Sequence, residues 1–439
     1  MSDTPGDELL YPNRGGERET RSDSGRISRR RLLAGSAAAG MVATAGCAGS
    51  SDGDAGVDDG GSGPATVFVF NTGDRTVSVI DAAADELVTT AFLGVTSSFP
   101  SNQYTVDRLT TEESVMWLNV DDGVRAVTAA SLSDAAAVET GSGANWQEVT
   151  PDGSHLIVSA REPAHRQYRI DADPGSETFG DVTAEIDRTS EGGRGERRGP
   201  GPCDVTIHPD GRYAYVPDIF GDTLTVIDVE SFEIANQISL DPTADADADA
   251  DAVQPWMNTA ARDGETLLVE NSGGETGTES VWDIGDPANP VEVARLTTED
   301  GLGEQPLTSE IGPDSAVGYV FTPDTNDVTV VDLAAAEVTD RIDLGGSAFV
   351  GTWGPDRTKL YVPVQTADEV KVIDHAAGEV VETISVGSDP YGATAGRVRP
   401  RTDAAADALG TAATLGIDVA VEGAGTTYCI GNCACGHRL

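Results

Sequence analysis

Val77-Ser78-Val79-Ile80-Asp81 is the first of a series: the pattern returns as Leu224-Thr225-Val226-Ile227-Asp228, Val328-Thr329-Val330-Val331-Asp332 and Val370-Lys371-Val372-Ile373-Asp374. The last two aspartates are 42 residues apart. Degenerate copies fill the other gaps at roughly 40–55 residues, a period that marks a β-propeller when each unit holds four short strands. The fold expected is therefore all-β. Chemistry does not follow from it, because a propeller hosts many unrelated functions.

Each unit reads alike. An apolar strand leads into a Pro-Asp-Gly-like turn, then come a second strand, the Val-Ile-Asp strand and a more polar outer strand. The turns are Pro151-Asp152-Gly153, Pro209-Asp210-Gly211, Pro313-Asp314-Ser315 and Pro355-Asp356-Arg357. Proline presets such a turn and glycine supplies a positive φ. Alternation as in Val67-Phe68-Val69-Phe70 and Tyr213-Ala214-Tyr215-Val216 suits buried strands. Third strands fall near Asp81, Thr128, Asp171, Asp228, Asp283, Asp332 and Asp374, which makes seven blades. The copies at Thr128, Asp171 and Asp283 are degenerate, so six or eight blades stay open. The globular part spans about residues 65–400. It starts at Ala65-Thr66-Val67, in the phase of a second strand, and ends at Pro390-Tyr391-Gly392-Ala393-Thr394-Ala395, in the phase of a first. The last strand is expected to complete the blade that the first one opens, which removes free sheet edges at the seam.

Tyr215-Val216, Val226-Ile227-Asp228 and Val386-Gly387-Ser388-Asp389-Pro390 resemble the YVTN-type repeat family of seven-bladed propellers. Related propellers include lactonases and the haem d1 domain of nitrite reductases. The matching residues are core and turn positions, so the resemblance implies the fold and leaves the activity open.

First strands line a propeller channel, and ligands sit at its mouths. The residues leading into them are Gln103-Tyr104, Asn145-Trp146, Cys203-Asp204, Trp256-Met257, Thr308-Ser309-Glu310, Thr352-Trp353 and Tyr391. Candidate ligand-binding residues are Tyr104, Trp146, Asp204, Trp256, Glu310 and Tyr391; packing between blades is the competing role for the rings. His208 and His375 fall at periodic turn positions, and none of His155, His165, His208 and His375 is expected to project to the channel mouth, where a d1-type axial ligand would sit. No Cys-x-x-Cys-His occurs, so covalent haem is not expected. No Gly-x-Ser-x-Gly elbow and no phosphate-binding Walker loop occur either. For an enzyme, Asp204 and Glu310 are the nameable carboxylates.

Asp245, Asp247, Asp249 and Asp251 imitate the start of a calcium loop but lack its Gly and closing Glu, so a solvated insertion is expected. Arg194, Arg197 and Arg198 form a basic, Gly-rich loop. The segment 401–439 reads as a linker and tail carrying Cys429, Cys433, Cys435 and His437. Thiolates and imidazole at this spacing suit copper or zinc. The Cys429-x3-Cys433-x3-His437 spacing also resembles the binuclear copper loop of cytochrome oxidase subunit II, with no methionine to complete it. A disulfide with a spare thiol is the alternative in an exported protein.

Residues 1–46 read as a Tat lipoprotein signal: the pair Arg29-Arg30, an apolar stretch too short to span a bilayer, then Thr44-Ala45-Gly46-Cys47, which resembles a lipobox. Cys47 would carry the lipid, and 47–64 would be a flexible spacer. A net charge of −46 with only two lysines, Lys359 and Lys371, resembles the composition of salt-loving archaeal proteins. It argues against nucleic acid as a partner, since phosphate binding needs basic patches. The function expected is that of a monomeric, lipid-anchored propeller on the outer face of the cell membrane. It would bind a protein or small ligand at the channel mouth and hold a soft metal on its tail. The alternative is a propeller enzyme, lactonase-like or handling haem d1.

Overall fold

A computed structural model describes residues 63–95, 97–194, 198–241 and 252–401. Arg29, Arg30, Cys47, the Asp245–Asp251 run, Arg197 and the Cys429–His437 set lie outside the described residues. Seven antiparallel sheets follow one another along the chain. Six have four strands, and the seventh, Val115–Val120, Gly123–Thr128 and Asp134–Glu139, has three. The blade third strands end on Asp81, Thr128, Asp171, Asp228, Asp283, Asp332 and Asp374, where the repeat puts them. The fold is a seven-bladed β-propeller.

The ring closes as its phase requires. Thr66–Asn71 pairs with Pro390–Gly396, from Thr66 opposite Gly396 to Phe70 opposite Gly392. Blade 1 is therefore built from both ends of the described chain. In every blade the pairing of third and fourth strands slips once, at Val79/Ile80 in blade 1 and at Val226/Ile227 in blade 4, for example. A bulge at one repeated place adds twist. The outer strand beyond it alternates exposed and half-buried, as Glu233–Ser239 does. At the turns between first and second strands, Gly153, Gly211 and Gly264 take positive φ, and Ser315 and Arg357 take it without being glycine.

Blade 2 departs from the sequence reading. Gln103-Tyr104 lead into a short helix, Thr105–Arg108, and not into a first strand. The innermost position is held by an irregular segment whose only ladder contact is a bridge from Pro100 to Leu118. Apolar clusters fill the wedges between blades. One joins Tyr213, Tyr215, Leu224 and Val226 of blade 4 to Leu267, Val269 and Trp282 of blade 5.

Candidate functional site

The third residue before each turn proline is Glu148, Thr206, Glu310 or Thr352. These side chains stand on first strands and, with Thr259 and Thr394, face the propeller axis. There they meet residues 101–104 of the irregular blade 2 segment. Ser101 O accepts from Thr394 Oγ1 of blade 1 at 3.2 Å. Asn102 Nδ2 donates to Glu310 Oε1 of blade 6 at 2.7 Å and to Gly351 O of blade 7 at 3.0 Å, and Asn102 Oδ1 accepts from Thr352 Oγ1 at 2.6 Å. Gln103 Nε2 donates to Ala260 O of blade 5 at 2.8 Å, and its Oε1 accepts from Thr206 Oγ1 of blade 4 at 2.7 Å. Tyr104 Oη donates to Ile207 O at 2.7 Å. With the bonds to Glu148 of blade 3, four consecutive residues thus bond to all six other blades.

Glu148 of blade 3 anchors this plug. Its carboxylate accepts from the backbone N–H of Asn102 at 3.2 Å and Gln103 at 3.1 Å, and from Ser101 Oγ at 3.0 Å. Burial still pushes its pKa above the usual carboxylate value, against the pull of these donors. The following helix is clamped from above: Asp107 pairs with Arg262 and Arg357, each at 2.9 Å. Desolvation opposes ionisation of Asp107, but the two guanidiniums prevail and hold its carboxyl low.

Beside the plug lies a cavity of about 50 Å³ whose lining includes Trp146, Glu148, Asp204, Asn258, Ser309 and Glu310. Asp204 Oδ2 accepts from the Asn258 N–H at 2.8 Å, while Asp204 Oδ1, Asn258 Oδ1 and the Ser309 hydroxyl are buried without a hydrogen bond. Burial pushes both Asp204 and Glu310 well above the carboxylate range, with Glu148 adding repulsion to each. None of the four described histidines lines the channel cavities. Among the described residues no group of three or more His, Cys, Asp or Glu side chains is placed to hold a metal ion.

The six candidate ligand residues divide by place. Trp146, Trp256 and Tyr391 join Phe99 and Phe349 in one apolar cluster. Phe99 lies 4.1 Å from Trp146 and 5.2 Å from Tyr391 between ring centroids, and Phe349 stacks on Tyr391 at 4.9 Å. Trp256 is fully buried and donates Nε1–H to Pro306 O at 3.0 Å. Asp204 and Glu310 line the cavity with the half-buried Trp146. Tyr104 lies apart from this cluster, under the Arg262 guanidinium. Glu148, Asn102 and Gln103 were not among the sequence candidates, although Glu148 shares Glu310's spacing to its turn proline.

By sequence, no protein-family model and no curated protein matches the chain. By structure it is similar to a periplasmic gluconolactonase of Pseudomonas aeruginosa, with a TM-score of 0.57 at 15% identity over 75% of this chain and 98% of that one. A proposed 6-phosphogluconolactonase of Bacteroides fragilis gives 0.57 at 14% identity over 76% and 98%. Hydrazine synthase of Kuenenia stuttgartiensis gives 0.54 at 15% identity over 75% and 99%. These likenesses are of fold, which three differently named proteins share with this chain.

Proposed function

We propose that the chain is an exported, lipid-anchored propeller that acts as a binding scaffold and carries a soft metal ion, copper or zinc, on Cys429, Cys433, Cys435 and His437. The observation that supports a non-catalytic propeller is the plug. Residues 101–104 occupy the axis, and the cavity left beside them is about 50 Å³, well below the roughly 300 Å³ at which small-molecule sites begin. A sugar lactone of the kind named for the structural neighbours is too large for the cavity that Asp204 and Glu310 line beside the plug. The rigid ring then offers its faces to a partner, while the lipid on Cys47 holds it at the membrane.

The test has two arms in molar salt. Gluconolactone and its 6-phospho form should be hydrolysed no faster by the protein than by buffer. Reduced protein should take up one Cu(I) or Zn²⁺ per chain, and a Cys429→Ser, Cys433→Ser variant should not. Lactone turnover that disappears in Glu310→Gln would replace the scaffold reading with the enzymatic one.

A further inference from the structure

In each blade the next-to-last residue of the second strand faces the second residue of the third strand. The pairs are Phe70/Val77, Asn119/Val124, Ser159/Gln167, Pro217/Leu224, Phe321/Val328 and Pro363/Val370. In blade 5 the pair is Glu270/Glu279. Both glutamates are 0% exposed. No well-formed hydrogen bond satisfies any of their four carboxyl oxygens; the Ser309 hydroxyl is the side-chain donor beside Glu270, and Glu279 has none. Both take the face of their sheet that carries Leu268 and Val281, which pack against Ile311 and Val320 of blade 6. Burying one unpaired carboxylate costs several kcal/mol, and four sister blades show that an apolar pair fits this position.

We propose that Glu270 and Glu279, with the Ser309 hydroxyl, form a buried site between blades 5 and 6 for one hard divalent cation of the calcium class. Two carboxylates balance a charge of +2. All-oxygen donors select Ca²⁺ over thiophilic metals, and Ca²⁺ tolerates irregular coordination where Mg²⁺ demands an octahedron. Ser309 also borders the channel cavity, so water there can supply further ligands. The ion would tie two blades together at a level where four of the other blades carry an apolar pair.

The experiment uses the full chain, chelator-treated and held in molar NaCl so that the acidic surface is screened. Calcium is titrated while bound ion and melting temperature are followed, with Mg²⁺ as a comparison. The parent should retain one Ca²⁺ per chain and melt several degrees higher with it. Glu270→Gln, Glu279→Gln should lose both effects. Glu270→Phe, Glu279→Val copies the pairs of blades 1 and 6; it should fold without calcium and ignore it, and it serves if the glutamine variant does not fold. Equal calcium responses in parent and variants would overturn the site. So would a parent that binds no ion and instead loses stability as pH rises through about 7, where burial places Glu270, since that marks a shared proton.

Discussion

Glu148 and Asp204 keep carboxyls inside the same channel by different means. Glu148 is surrounded by donors, whereas Asp204 has only backbone donors, chiefly the Asn258 N–H on Oδ2. Burial raises the folded-state pKa of Asp204, so the folded protein holds a proton that the unfolded chain releases above about 4. The sign follows: this stability is complete below about pH 4 and is lost as pH rises towards and through the folded value. Asp204→Asn keeps an acceptor for the Asn258 N–H and removes the titration. Melting temperatures from pH 5 to 8 in constant molar salt should therefore fall less steeply for Asp204→Asn than for the parent. Parallel curves would show that Asp204 does not carry the dependence.

The plug is one short segment held by bonds from both its side chains and its backbone. Asn102→Ala removes contacts to Glu310, Gly351 and Thr352 and leaves their buried polar groups unsatisfied. A loss of about 2–3 kcal/mol is expected, measurable as a shift of the urea midpoint at unchanged slope. Glu148→Ala should cost a similar amount by orphaning the N–H groups of Asn102 and Gln103. The closing strand works at the same scale. Ending the chain at Gly387 deletes the partner of Thr66–Asn71 and reopens an edge. That protein should lose cooperative unfolding, while one ending at Arg401 should melt like the parent. Blade 2 shows why such an element escapes a sequence reading. Gln103-Tyr104 sit where a first strand is due, and nothing local reveals that the chain will instead cross the axis.

For the whole molecule the dominant force outside the core is charge. A net −46 repels itself, and raising salt from dilute to 1 M shortens the Debye length from about 30 to 3 Å. Melting temperature should rise steeply over that range and then level off; a flat response would mean that the acidic surface is not an adaptation to salt. The proposed lipid anchor is testable on the same scale. Cys47→Ser should release the protein from the membrane fraction or leave it unprocessed, and Arg29→Lys with Arg30→Lys should block export.

The repeat of Val-Ile-Asp strands determined the propeller fold, the place of the third strands and the closure between Val67 and Ala395, because strand alternation and turn chemistry are local and recur with the period; the count of seven, open to six or eight where the copies are degenerate, was decided by the structure. Part of the site was legible too: the residues entering the first strands include Asp204 and Glu310, whereas Glu148, at the same spacing to its turn proline as Glu310, was missed. Tertiary structure alone decided that residues 101–104 close the channel. It also decided that Trp146, Trp256 and Tyr391 join one apolar cluster with Phe99 and Phe349 and that Glu270 faces Glu279 on the buried face of blade 5 that packs against blade 6. Those facts depend on which side chains seven blades bring to one axis or one wedge, and that convergence of distant residues is absent from any local pattern.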